Sequence, residues 1–180
     1  FKSSPLPLTH ITTDNELSQP LLDLFRTHQI TAQFQPPGNH RSNFAERAIR
    51  TYKNHFIAIL AGVHPTFPAD LWDLLLPISI LTINHLRPSK SNPAISAHAG
   101  IHGKDIDFAA HPIHPPGQLI VVHERPDGRP TWSHHGLRGF YLGPALHHYR
   151  CARVYVVKTG ALRTSDTLSH FPNPLFHWEA

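Results

Sequence analysis

The chain has 180 residues, a formal net charge of +4 and 40% hydrophobic residues, enough for one domain of about 100–150 residues and a small module. The single cysteine, Cys151, excludes an internal disulfide and fits a reducing, intracellular compartment. Because the sequence begins at Phe1 and contains no methionine, it predicts a fragment whose targeting signals cannot be read.

The first predicted elements are a short strand, a helix and a second strand. Residues 8–13 are rich in β-branched side chains, residues 18–28 have a helical pattern, and residues 31–35 return to a strand pattern. Asp14 directly follows the first strand, where site residues of α/β folds are common. Alternatively, Asp14 starts a turn or caps the following helix.

A second helix is predicted to begin after an N-cap at Ser42 or Asn43. Glu46 lies in its first turn, either as the carboxylate of a capping box or as a site residue. The apolar positions recur at helical spacing and predict a core-facing stripe. This stripe consists of Phe44, Ile49, Tyr52, Phe56, Ile57 and Leu60.

The same helix carries a concentration of positive charge. Between residues 41 and 53 there are four cations and one carboxylate, which predicts a local nucleic-acid contact. The alternative is an ordinary solvated basic face. The predicted contact residues are Arg41, Asn43, Arg47, Arg50, Lys53 and Asn54.

Two short motifs carry a resemblance to a known family. Residues 13–15 (Thr-Asp-Asn), a turn containing prolines, and residues 43–47 (Asn-Phe-Ala-Glu-Arg) on a basic helix resemble the second half of an integrase catalytic core. The resemblance is to integrases of retrotransposons and related insertion elements. It implies a partial ribonuclease-H-like α/β fold, ordered strand-helix-strand-helix-helix, over residues 1–96.

The resemblance also implies a metal site. Asp14 would be the second aspartate and Glu46 the glutamate of an Asp-Asp-Glu set that binds two Mg²⁺ or Mn²⁺ ions. The first aspartate would lie upstream of Phe1, so the chain would hold an incomplete site. The sequence departs from the family pattern at Glu16, where glycine is usual, and at residues 40–43. The gap of 31 residues between the two carboxylates is also shorter than usual.

The function implied is DNA integration, by 3′-end processing and strand transfer, and whether this chain is itself an enzyme stays open. DNA, as element ends and target, is the implied partner, with a second copy of the chain as a further open possibility. The implied location is the nucleus in a eukaryote or the cytoplasm in a bacterium. Two alternatives are a non-catalytic nucleic-acid-binding remnant of a mobile element and a scaffold protein.

Residues 67–86 form the most apolar segment. We predict a helix that begins near Pro68 and Asp70, kinks at Pro77 and buries Trp72 in the core. The segment is too short and too interrupted to span a membrane.

The remaining chain is predicted to be a Pro/His-rich linker (97–118), a small antiparallel β-barrel-like or meander module (119–170) and an irregular tail (171–180). Residues 139–143 (Gly-Phe-Tyr-Leu-Gly) resemble a segment that follows the core in copia-type polyproteins. The strands carry a candidate auxiliary basic face for nucleic acid. Its members are Arg150, Arg153, Lys158 and Arg163.

The 17 histidines are predicted to form no zinc site, and most are expected on the surface or in turns.

Overall fold

The computed structural model describes residues 8–13, 17–34, 44–124, 132 and 134–170. The chain is a mixed α/β protein whose contacts divide it into two compact units, Phe1–Asn54 and His55–Ala180. The domain boundaries predicted at residues 96 and 118 stay predictions. Asp14, Arg41 and Asn43 lie outside the described residues.

The first unit contains a parallel pair of strands joined by a helix. Strand β1 (His10–Thr13) pairs with β2 (Thr31–Phe34), and helix α1 (Gln19–Thr27) connects them. Pro20 lies in the first turn of α1, where its missing N–H costs no helical hydrogen bond. This order confirms the predicted strand, helix and strand at the start of the chain.

Helix α2 (Phe44–Ala61) begins in the first unit and ends in the second. None of its residues is buried, and Phe44 and Ile49 are 76% and 58% exposed. Phe56 and Leu60, near its end, are partly buried against the core of the second unit. The predicted core stripe is therefore wrong for the beginning of α2, where Phe44 and Ile49 are largely exposed.

The apolar segment at 67–86 forms two helices rather than one. A 3₁₀ helix (Ala69–Leu75) leads into α3 (Leu76–His85), and Pro77 lies in the first turn of α3. Because proline lacks an N–H, it is tolerated at the start of a helix, and here it begins a new helix instead of kinking one. Trp72 is 48% exposed, so its predicted burial is wrong.

Residues 119–170 contain a five-stranded sheet. Its strands are β3 (Leu119–His123), β4 (Gly136–Pro144), β5 (Ala152–Val156), β6 (Ala161–Ser165) and β7 (Leu168–His170). The order is β6-β5-β4-β3-β7, and every neighbouring pair is antiparallel. The predicted antiparallel sheet is confirmed, in the form of a meander whose last strand returns to β3, and its separation as a module of its own stays a prediction.

The core of the second unit lies between this sheet and the helical segment before it. Leu75 and Ile78 are 0% and 2% exposed and belong to one cluster with Ile120, Tyr141 and Val154 of the sheet. The helices and the sheet of residues 55–170 thus share one core. Among the described residues, no helix has the length and apolar character needed to cross a membrane.

Candidate functional site

The predicted carboxylate site belongs to the first unit and starts from the parallel strand pair. Thr13 pairs with Phe34, so β1 and β2 end together at the same edge of the sheet. Asp14 is next to Thr13 in the sequence, and Glu46 lies in the first turn of α2, the helix that follows β2. Because Asp14 lies outside the described residues, its proximity to Glu46 stays a prediction.

The described members of the predicted DNA-binding row lie on α2 and are accessible. Arg47, Arg50, Lys53 and Asn54 are exposed, whereas Glu46 is half-buried. The guanidinium carbon of Arg47 lies 4.4 Å from the centre of the Phe44 ring, a cation–π distance that restrains this side chain. Residues at these spacings lie on neighbouring turns of one side of a helix, where their charges could meet a phosphate backbone.

The four cations predicted as a basic β face do not lie on one face. Arg163 of β6 pairs with Val154, so it lies on the same face as that buried residue, whereas Arg153 lies on the opposite face. Arg150 and Lys158 lie in the turns before and after β5. Arg163 also contacts Glu124, with 3.5 Å between Nη1 and Oε1. The alternation of strand side chains thus separates residues that are close in sequence.

A second polar cluster lies in the second unit, around helix α4 (Ala97–His102). His85 ends α3, His98 lies in the first turn of α4, and Asp105 follows α4 in the chain. One donor atom from each of these three residues lies within 4.8 Å of the others. Such a set of two imidazoles and a carboxylate is suited to binding a metal ion.

Hydrogen bonds fix the carboxylate of this cluster. Bonds donated by the Ser96 hydroxyl and by His85 lower the pKa of Asp105 to about 2, so this group is ionised throughout the physiological pH range. Nδ1 of His85 bonds Oδ1 of Asp105, and the backbone N–H of Ile106 donates to the same oxygen at 2.9 Å. Asp105 is therefore an oriented, charged ligand.

The prediction from the sequence missed this cluster and placed α4 in a linker. The local signals were a serine and a glycine at the two ends of a short helix, with Ser96 as N-cap and Gly103 at φ +73° after the last turn. His98 and His102 are also four residues apart, a spacing that the prediction overlooked. The distance from His85 to Asp105 in sequence, however, gives no sign of their contact.

No protein-family model matches the chain, and no curated protein sequence matches it either. Among solved structures, the chain is similar to a chain from the intasome of simian T-cell lymphotropic virus in complex with the PP2A regulatory subunit B56 gamma. The identity is 19% and the TM-score 0.41, over 92% of this chain and 59% of the other. The chain thus spans less than two thirds of the length of that viral chain.

Proposed function

We propose that the chain is a DNA-binding part of an integrase-like core that processes DNA ends and transfers strands. The observation that carries this proposal is the parallel pair of β1 and β2, whose common edge leads in sequence to Asp14 and to the helix of Glu46. This order is the one expected for the second half of a ribonuclease-H-like core. Mg²⁺ or Mn²⁺ held by these two carboxylates and a further aspartate would activate the attacking oxygen and stabilise the leaving one.

The row on α2 supplies the DNA-binding side of the proposal. Arg50 and Lys53 are exposed and lie three residues apart on the helix that carries Glu46. Their charges would neutralise phosphates and release counterions, so binding would depend strongly on salt and little on base sequence.

Fluorescence anisotropy with a labelled DNA duplex at a series of salt concentrations tests this row. The double variant Arg50→Ala/Lys53→Ala should bind more weakly, and the slope of log K against log salt should fall by about 2. The control is Lys90→Ala/Lys104→Ala, which removes the same charge from exposed positions in the second unit. If both double variants change the slope equally, binding reflects net charge and the proposed row is wrong.

The catalytic part is tested in a chain that also carries the first aspartate that the resemblance implies. In that chain, Glu46→Gln should abolish metal-dependent nicking and strand transfer while the affinity for DNA stays unchanged. Activity that survives Glu46→Gln would contradict the assignment of Glu46. DNA binding without strand transfer in the unsubstituted extended chain would favour the alternative, a non-catalytic nucleic-acid-binding remnant.

A further inference from the structure

We propose that His85, His98 and Asp105 form a binding site for a divalent transition-metal ion, with Zn²⁺ as the best fit. The site lies wholly within the second unit and is independent of the carboxylates Asp14 and Glu46 of the first. Two imidazole nitrogens and one carboxylate oxygen form the set of three protein ligands found in many open zinc sites.

The ring of His98 is already held in a form that suits a metal ligand. Its Nδ1 lies 3.1 Å from the carbonyl oxygen of Lys104, which can only accept a hydrogen bond. In the neutral ring this bond selects the tautomer with the proton on Nδ1, which leaves the lone pair of Nε2 for a metal. A backbone carbonyl that fixes the tautomer of a ligating histidine is a common feature of metal sites.

The turn after α4 brings the carboxylate back to the helix. Gly103 has φ +73°, and its N–H donates to the carbonyl of Ala99 at 2.9 Å, which reverses the chain toward Asp105. Ser96 connects the first turn of α4 to Asp105, because its Oγ accepts the Ala99 N–H at 2.9 Å while its hydroxyl donates to Asp105. The ligand positions are thus set by backbone and capping bonds before any metal binds.

The hydrogen bond between His85 and Asp105 explains why these two side chains lie together even without a metal. The position of His98 is therefore the observation that indicates a metal site. The rings of His85 and His98 lie with their centres 4.2 Å apart, and both side chains are half-buried. The His98 ring therefore lies directly beside the hydrogen-bonded pair of His85 and Asp105.

The geometry requires only local adjustment. Donor atoms of a tetrahedral zinc site lie about 3.3 Å apart. Because the donor atoms of the cluster lie within 4.8 Å of one another, no pair of them has to approach by more than about 1.5 Å. A groove of about 300 Å³ borders the site and is lined by His85, Arg87, Ser96 and Asp105, among others. It leaves room for a water molecule or a small anion at the fourth coordination position.

Titration of the full chain with Co²⁺ and Zn²⁺ tests the site. Co²⁺ should give the visible absorption of a four-coordinate complex with one equivalent bound, and Zn²⁺ should displace it. His98→Gln and Asp105→Asn should each weaken Zn²⁺ binding at least tenfold, measured by competition with a chromogenic chelator. Ser96→Ala, which removes a positioning bond, should weaken it less.

The control is His147→Gln/His148→Gln, which removes two exposed histidines outside the cluster and should leave the Zn²⁺ affinity unchanged. Circular dichroism without metal establishes that each variant is folded, and Zn²⁺ should raise the melting temperature of the parent chain but not of Asp105→Asn. Binding that is equally tight in the His98→Gln/Asp105→Asn double variant would be adventitious histidine binding and would overturn the proposal.

Discussion

The two units differ in how they use apolar surface. Among its described residues, the first unit buries one apolar side chain, Phe25 of α1 at 6% exposure, and its sheet is a parallel pair of strands. The second unit packs helices against a five-stranded antiparallel sheet around the fully buried Leu75, Tyr141 and Val154. Parallel sheets are normally covered on both faces, whereas an antiparallel sheet can be stable with one face covered.

This difference indicates which unit determines the stability of the chain and which unit carries the proposed binding residues. The second unit has the features of a self-sufficient core, and substitutions in it should act on the free energy of unfolding. The exposed row of cations and the end of β1 belong to the first unit, where substitutions should act on binding rather than on global stability.

The largest expected effect is on the free energy of unfolding, and it should differ between the two units. Leu75→Ala removes a side chain with 0% exposure and should lower the free energy of unfolding by about 2–5 kcal/mol. Ile49→Ala, on the 58% exposed position of α2 in the first unit, should change it by less than about 0.5 kcal/mol. Urea unfolding followed by circular dichroism measures both, and equal losses would contradict the contrast between the units.

The next effect concerns the backbone of the sheet. Gly143 has φ +131° beside a register shift in β4, and an added Cβ would lie 3.2 Å from Cβ of Ile78. Gly143→Ala should therefore cost about 1–3 kcal/mol from backbone strain and crowding. Gly62→Ala is the control, because its Cβ would meet nothing closer than 3.5 Å. A thermal melt in which both variants match the parent would show that β4 relaxes around the added methyl group.

Tyr141 offers a smaller test of the same core. Its hydroxyl donates to the carbonyl of Pro112 at 3.2 Å, and burial raises the pKa of Tyr141 to about 12. Tyr141→Phe leaves that carbonyl without this bond and should cost about 1–2 kcal/mol in urea unfolding. Tyr149→Phe, at a position that is 73% exposed, should cost nothing measurable.

Local sequence patterns predicted the elements better than their packing. The strand at Leu119–His123 and the first three elements follow from β-branched runs and helical periodicity. Burial did not follow from the same patterns, because an apolar stripe on α2 predicts a partner but does not supply one. Phe44 is therefore 76% exposed despite its helical spacing.

The candidate sites show the same limit. Glu46 and the exposed cations of α2 are neighbours in sequence, so helical spacing was enough to predict that they share one side. Predicting that Arg153 and Arg163 lie on opposite faces of the sheet requires the strand register, which depends on the turn between β5 and β6. The cluster of His85, His98 and Asp105 depends on the packing of α3 and α4, for which a single sequence has no periodic signal.

The smallest expected effect is a pH dependence located in the second unit. His114 and His170 are stacked with ring centres 3.8 Å apart, and Nδ1 of His170 lies 3.3 Å from Oε1 of Gln118. Burial lowers the pKa of His114, and burial together with the charge of His114 lowers that of His170. Both side chains are only partly buried, so solvent should keep the effect modest.

The sign follows from proton binding in the two states. In the unfolded chain the pKa of these histidines is near 6.5, so below this pH the unfolded chain binds more protons than the folded chain. The stability that the pair contributes above pH 6.5 is therefore lost as the pH falls toward the lowered pKa values of the folded chain. The urea midpoint should therefore decrease between pH 7.5 and pH 5, and His114→Gln should make this decrease shallower. His148→Gln, at an exposed position, should leave the slope unchanged. If His114→Gln leaves the profile as steep as in the parent, the acid sensitivity does not come from the stacked pair.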